Sequence, residues 1–350
     1  MFINRFKSAA TAAAIVLLSI FGSANAQTYT LTDLGDLGGD TFAFGINKSG
    51  QITGYSNDTF AGQPRAFLYS KGQLVALGEA GGLRSSGYRI NDAGAVAGSI
   101  DDNLNVNHAV VWKNGIATFI GSLGGSSGAI GINQSGMVVG ASQTSSNGPQ
   151  HAFLYNGTAM LDLGTLGGPN SSAVAINRSG QVVGAAGVNP ANAGDTRAFL
   201  YSGGVMTNLG SLFGGISGAT DINDNGEIVG YSYVLSIGGW MATLWRNGTM
   251  QNLGTVAEAQ AGSWPYAINN KGLIVGQTQG HTSGVNHALI WRNGSAVDLN
   301  TLVDASGLGW TLENAMDVND AGLIVGWGKN NAGQTRAILL TPIPQHGKKH

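Results

Sequence analysis

The residues best placed to do chemistry in this chain come in pairs eleven positions apart. His151 precedes Asp162 by that interval, His287 precedes Asp298, and Arg197 precedes Asn208. A histidine beside a carboxylate is the arrangement used by general bases and by metal-ligating imidazoles. It is equally a plain tie between cation and acid. The first member of each pair opens a recurring triplet, at Arg65, His108, His151, Arg197, Met241, His287 and Arg336, and Ala follows it every time. A catalytic centre needs one copy. A near-copy in every repeat points to ties that order hairpins, each worth about 0–1 kcal/mol when exposed.

Two further stretches invite a chemical reading. "DINDNGE" (221–227) matches the first half of a calcium loop, but Ser232 stands where the loop needs its twelfth, acidic ligand. The Asn and Gly of that stretch are what a tight turn requires, so neither a metal nor another cofactor is expected. The chain has no Cys, which excludes a thiolate nucleophile and thiolate-bound zinc. "GYS" and "GAS" end strands and lack the strand–turn–helix setting of a nucleophile elbow. The "LGG" segments open strands, not helices, and offer no helix-terminal amides to a phosphate. No catalytic residue is assigned.

The elements that must carry these residues follow from one spacing. Asn-x-x-Gly-x-x-x-Gly begins at Asn47, Asn91, Asn133, Asn177, Asn223, Asn269 and Asn319, at separations of 44, 42, 44, 46, 46 and 50 residues. A period of about 40–50 residues with four strands per unit is that of a propeller. The fourth unit shows the strands: "SAVAIN", a turn at "RSG", "QVVGAA", a variable loop, "RAFLY", a turn at "SGG", and "VMTNLG". We call these strands a to d. The seventh unit stops after its c strand, "RAILL", while "YTLTDLG" near the N-terminus is a d strand without a unit. One spare strand and one missing strand predict a ring closed by pairing the two ends, which leaves no open edge. The expected fold is all-β: a seven-bladed β-propeller of four antiparallel strands per blade. The N-terminal strand completes the last blade and sets Asp33 beside Arg336.

The "HAF" triplet between "IN..G..VG" and "DLG.LGG", after an apolar leader, resembles the HAF-repeat family of secreted bacterial proteins. The resemblance covers nearly the whole chain past the leader. It implies an exported repeat protein and no settled activity. Some members of that family end in a hydrophobic sorting tail; this chain ends in "HGKKH", so surface anchoring is not inferred.

Composition fits the same picture. Of 350 residues, 57 are Gly, 43% are hydrophobic and 10% are charged. Apolar alternation broken by Gly suits short strands and tight turns. Residues 1–26 read as a signal peptide, with Arg5 and Lys7 ahead of an apolar run and Ala24-Asn25-Ala26 as the cleavage site. The propeller is expected over 27–343, with 344–350 as a tail, in a chain that is secreted or periplasmic. No later stretch of about 20 apolar residues would span a membrane. The formal charge of −2 gives nucleic acid no basic face to grip. A monomer is expected.

What repeats carries structure, so function is sought in what varies. The a–b and c–d turns are short and uniform, whereas the b–c and d–a connections, which leave by the other face, differ from unit to unit. Variable loops on a rigid scaffold usually carry binding. These segments hold Trp240, Trp264, Tyr266, His281, Trp310 and Glu313. Three Trp on one face would make an aromatic platform for a glycan or a peptide, with His281 and Glu313 taking hydroxyls. The expected function is therefore a non-catalytic binding module. The competing expectation is a polysaccharide lyase or hydrolase with His281, Glu313, Glu258 and Arg89 at the channel mouth, which rests on analogy of fold alone. Arg89, Asp221 and Asp317 replace small residues two positions before the Asn of strand a, and are expected near the channel as a charge network. Trp112, Trp245 and Trp291 take the place of the Tyr in "HAFLY" and are expected in the core.

Overall fold

The computed structural model describes residues 27–58, 62–78, 80–236, 238–259, 262–280, 282–292 and 294–344. The expected signal peptide and most of the expected tail lie outside them. Seven four-stranded antiparallel sheets form the structure. Blade 1 is Gly38–Ile46, Ile52–Asp58, Pro64–Ser70 and Gln73–Ala76, and blades 2 to 6 repeat that order. The a strands of blades 2 to 6 are Arg84–Ile90, Ser127–Ile132, Ser171–Ile176, Ser217–Ile222 and Ser263–Ile268. Blade 7 takes strands a to c from Thr311–Val318, Ile324–Lys329 and Thr335–Pro342, and its d strand from Tyr29–Asp33. The closing ladder runs from Tyr29 opposite Pro342 to Asp33 opposite Ile338. This is the seven-bladed β-propeller that the period and the unmatched ends predicted.

Each a strand touches the a strands of both neighbouring blades, and blade 7 touches blade 1. The a strands are therefore the inner wall of the ring. The motif that set the period is the device that joins them. Each of its seven Asn is buried. Each donates from Nδ2 to the main-chain oxygen of the corresponding Asn in the next blade, at 2.9–3.1 Å, and Asn319 donates to Asn47. The seven bonds form an unbroken circle. Within each blade the Asn Oδ1 accepts the amide four residues on and so holds the a–b turn closed.

Both glycines of the motif have physical causes. The first has φ near +80° in every blade, for example Gly50, Gly180 and Gly322, a region that L side chains avoid. The second lies opposite a β-bulge in strand a. A Cβ on Gly54 would stand 1.9 Å from the Phe42 oxygen, and one on Gly184 would stand 2.0 Å from the Ser172 oxygen. The bulge recurs in all seven blades and re-aims the side chain at its crest toward the bore.

The "HAF" positions pack between blades. Ala66, Phe67, Ala152, Phe153, Ala198 and Phe199 are all fully buried. The amide of that Ala bonds to the Ser or equivalent that opens strand a of the next blade, as in Ala152 N to Ser171 Oγ at 2.8 Å. Trp112, Trp245 and Trp291 are core, as expected, and each indole donates to a main-chain oxygen of the preceding blade or of the loop that follows it.

The eleven-residue pairs divide. His151 meets Asp162 at 2.8 Å and His287 meets Asp298 at 2.7 Å. Arg197 instead meets Asp195 at 2.5 Å, and Arg336 meets Asp36 at 2.9 Å, not Asp33. The reason lies in the second member of each pair. Asp33, Asp162, Asn208 and Asn252 each accept the amide of the Gly two residues on and so turn the chain out of strand d. That turn is their common task. An imidazole is short enough to share the carboxylate, and an arginine reaches past it.

Candidate functional site

Seven cross-strand pairs stand at one level of the inner wall, between strands a and b above the bulge. In blade order they are Phe42 with Tyr55, Ser86 with Ser99, Gly128 with Ala141, Ser172 with Ala185, Gly218 with Tyr231, Trp264 with Gln277, and Asn314 with Trp327. Blades 5, 6, 7 and 1 form an arc of large side chains. Blades 2, 3 and 4 form an arc of small ones.

The large arc holds two aromatic groups. In blades 5 and 6, Trp264 stacks on Tyr231 with centroids 3.8 Å apart, and Trp240 meets Trp264 edge-on at 5.3 Å. Trp240 also meets Tyr231 and Tyr233. In blades 7, 1 and 2, Phe42 and Phe44 pack against Tyr55 and Trp327, and Phe44 reaches Tyr88. All of these rings are partly buried, neither sealed in the core nor free in solvent. Burial raises the pKa of the Tyr231 phenol, and burial with nearby Tyr88 and Asp40 raises that of Tyr55.

The sequence placed its candidates on loops, and four of them lie on strands. Trp240 belongs to the c strand Gly239–Arg246, Trp264 and Tyr266 to the a strand of blade 6, and Glu313 to that of blade 7. The alternation of these strands continues into segments that their unusual residues made look like loops. Trp240 and Trp264 converge. Tyr266 sits two residues further along strand a, at the bulge crest, where burial pushes its phenol up to about 12. Glu313 accepts a salt bridge from Lys329 at 3.3 Å. Trp310 lies apart and packs on the core cluster containing Leu299, Leu302 and Leu312. It follows two 3₁₀ turns, Leu299–Thr301 and Ala305–Gly307, which the sequence reading did not foresee. His281 is outside the described residues. Phe42, Phe44, Tyr55, Tyr88 and Trp327 were missed. For Phe42, Tyr55 and Trp327 the signal was present five positions before and eight after the motif Asn, where units 2 to 4 carry only Gly, Ser or Ala; Phe44 and Tyr88 stand three before it, where other units carry side chains such as Ile130 and Val174.

Below the aromatic level the bore holds charge. Arg89 donates to the Phe44 oxygen and lies 3.9 Å from Asp317. Asp317 accepts the Ile46 amide at 2.9 Å, and Asp221 accepts the Ile268 amide at 2.8 Å. The three side chains come from blades 2, 7 and 5, so the expected charge network does cross the channel. Burial pushes the Asp221 carboxyl up to about 7; Arg89 opposes the shift and Asp317 adds to it. A carboxyl raised on folding stabilises the fold at low pH, and that stability is lost as pH climbs from the ordinary carboxylate value to about 7. Asp221→Asn removes this titration while keeping an acceptor for Ile268. Between pH 4 and pH 8 the variant is expected to gain on the natural chain by up to about 4 kcal/mol, read from denaturant melts at each pH. Parallel pH profiles would refute the assignment.

At the opposite mouth, six of the seven Asn, with Ile90 and Asp92 of blade 2, surround a cavity of about 260 Å³. Here Lys48, Arg178 and Asn270 donate their amides to the side chains of Asp92, Asp224 and Asp320 in the next blade. These bonds add to the inner circle between those blades. Of the calcium-like stretch, Asp221 faces the bore, Asn223 belongs to the ring, and Asn225 bonds to the Asn270 oxygen. Its oxygens diverge.

No protein-family model matches the chain, and no curated protein matches it. Solved structures do. TolB from Acinetobacter baumannii is 12% identical with a TM-score of 0.46, over 89% of this chain and 65% of that one. This chain therefore spans less than two thirds of that structure's length. A puromycin-hydrolyzing peptidase from Mycobacterium tuberculosis is 12% identical with a TM-score of 0.49, over 89% of this chain and 56% of that one. The Aleuria aurantia lectin is 11% identical with a TM-score of 0.33, over 91% and 97%. The likeness is one of fold. Among the described residues no helix is long and apolar enough to cross a membrane.

Proposed function

We propose that this is an exported, monomeric binding module of the HAF-repeat kind, which takes a glycan at the channel mouth on the variable-loop face. One observation carries the reading: the split of seven equivalent positions into an aromatic arc and a small-residue arc. A ring needs no such asymmetry for its stability. Aromatic rings stack on the apolar faces of sugars, and small side chains opposite leave room for one. The side chains proposed to bind are Trp240 and Trp264 with Tyr231, and Phe42, Tyr55 and Trp327 across the arc. Tyr266 supports them from below. The reading leans away from catalysis because two of the acid–base candidates are already engaged, Glu313 with Lys329 and Arg89 with Asp317.

Two variants test it by opposite means. Trp240→Ala with Trp264→Ala removes part of the platform. Ser172→Trp fills the small arc and leaves the platform whole. Retention on immobilised polysaccharides is expected to fall at least about tenfold in both, with the melting temperature of Ser172→Trp close to that of the natural chain. Full retention by Ser172→Trp would remove the mouth as the site. Retention on a peptide library alone would turn the reading to peptide, and new reducing ends or unsaturated products would turn it to an enzyme.

A further inference from the structure

The hairpin of blade 2 breaks the histidine rule. In blades 3 and 6 the imidazole bonds to an Asp eleven residues on. In blade 2 that position is Phe119. His108 turns to Asp102 in the b–c loop instead, with Nε2 3.0 Å from Oδ2, and presents its ring edge-on to Phe119 at 5.7 Å. Phe119 is 48% exposed. An aromatic ring has thus replaced a carboxylate at a surface where it is not buried.

What surrounds Phe119 is a cavity. Its ring, the His108–Asp102 pair, Ile100, Asn103 and the main chain of residues 80–82 enclose about 240 Å³. That is below the roughly 300–1,000 Å³ of sites for drug-sized ligands and suits a single sugar ring. The polar groups remain available. Asp102 Oδ1 is taken by the Leu104 and Val106 amides. Among the described residues Oδ2 accepts only from His108, so a carboxylate oxygen with two acceptor sites keeps one open. Asn103 makes no side-chain hydrogen bond among the described residues, and its amide can donate and accept. A Cβ at Gly81 would meet nothing within 4 Å, so the 80–82 main chain forms an open lip.

We propose that this cavity is a second carbohydrate site, between blades 1 and 2, which takes one pyranose ring. The C–H face of the sugar lies on Phe119, one hydroxyl donates to Asp102 Oδ2, and a neighbouring hydroxyl bonds to Asn103. The inference goes beyond the channel-mouth site and does not depend on it, since the two share no residue. With both filled, one propeller would hold two points of a polysaccharide.

The test uses the full chain and a panel of methyl pyranosides (gluco, galacto, manno, fuco and N-acetylglucosamine) read by saturation-transfer NMR at millimolar concentration. At least one is expected to bind both the natural chain and the Trp240→Ala, Trp264→Ala variant. Phe119→Ala, Phe119→Leu and Asp102→Asn are each expected to weaken that sugar about tenfold or more, while Phe119→Trp keeps it. Phe119→Leu preserves apolar bulk and loses only the flat face, so its loss of binding does not come from misfolding. The site is overturned if no pyranoside binds, or if the Phe119 variants bind as the natural chain does. Binding that disappears in the Trp variant and persists in Phe119→Ala also overturns it, and places all sugar contact at the channel mouth.

Discussion

A chain beginning at Gly35, without the closing strand, is expected not to fold cooperatively. Tyr29 is 1% exposed, Leu34 4% and Leu31 8%, and their side chains pack between blades 6, 7 and 1. Burying one such side chain contributes about 1.5–3 kcal/mol, so three contribute an amount comparable to the about 5–15 kcal/mol that keeps a typical domain folded. The polar losses add to this. Tyr29 N donates to the Leu302 oxygen at 2.9 Å, the Asp304 amide donates to the Tyr29 oxygen at 2.9 Å, and Leu31 N donates to Ser306 Oγ at 2.7 Å. The Tyr29 hydroxyl bonds to Arg292. Removing the segment leaves these groups and the Thr335–Pro342 edge unpaired. Circular dichroism melts are expected to lose their sharp transition, and a synthetic peptide of residues 27–36 added in trans is expected to restore it in part. A truncated chain that melted like the full one would mean that closure contributes nothing.

The second large effect concerns the ring of asparagines. Asn177 is 3% exposed. Its Nδ2 donates to the Asn223 oxygen at 3.1 Å and to Gln181 Oε1 at 2.8 Å, while its Oδ1 accepts from the Gln181 amide at 3.0 Å. Asn177→Ala leaves the Gln181 amide without its acceptor, at about 1–3 kcal/mol, and takes from the Asn223 oxygen one of its two donors, the Gly226 amide remaining. The expected loss is about 2–4 kcal/mol, or about 3–8 °C in melting temperature for a chain of this size. Asn177→Asp is sharper. It keeps the acceptor for Gln181 but sets a carboxylate oxygen against the Asn223 carbonyl. It is expected to be the less stable of the two at pH 7. It should recover below the ordinary carboxylate range, where a protonated acid can donate, while the Ala variant does not recover. If Asn177→Ala costs under about 1 kcal/mol, the circle is geometry without consequence.

The two devices explain why so much of the fold was legible. The period was readable because each blade needs the same Asn to bond to the next, the same Gly at positive φ, and the same Gly facing the bulge. None of these tolerates a substitute, so each leaves a mark at a fixed position. The closure was readable because the N-terminal end carries one d strand without a unit and the last unit lacks one. The site was only partly legible. Trp240 and Trp264 stood out as rare residues, but no local pattern shows that Tyr231, 33 residues from Trp264, would stack on it. Phe42 and Trp327 lie at opposite ends of the chain.

By itself the sequence determined the architecture: seven blades, four strands each, the closing pair, and the buried Asn and Gly at every a–b turn. Those features depend on local spacing and on hydrogen bonds that every repeat must satisfy in the same way. The tertiary structure alone decided which departures meet. Arg89, Asp221 and Asp317 come together because a ring brings positions from blades 2, 5 and 7 to one axis. Trp310 and Trp264 separate because a strand runs one side chain to the inner wall while a loop folds the other onto the core. Burial and pairing between distant segments are properties of the closed circle, and no window of the chain contains them.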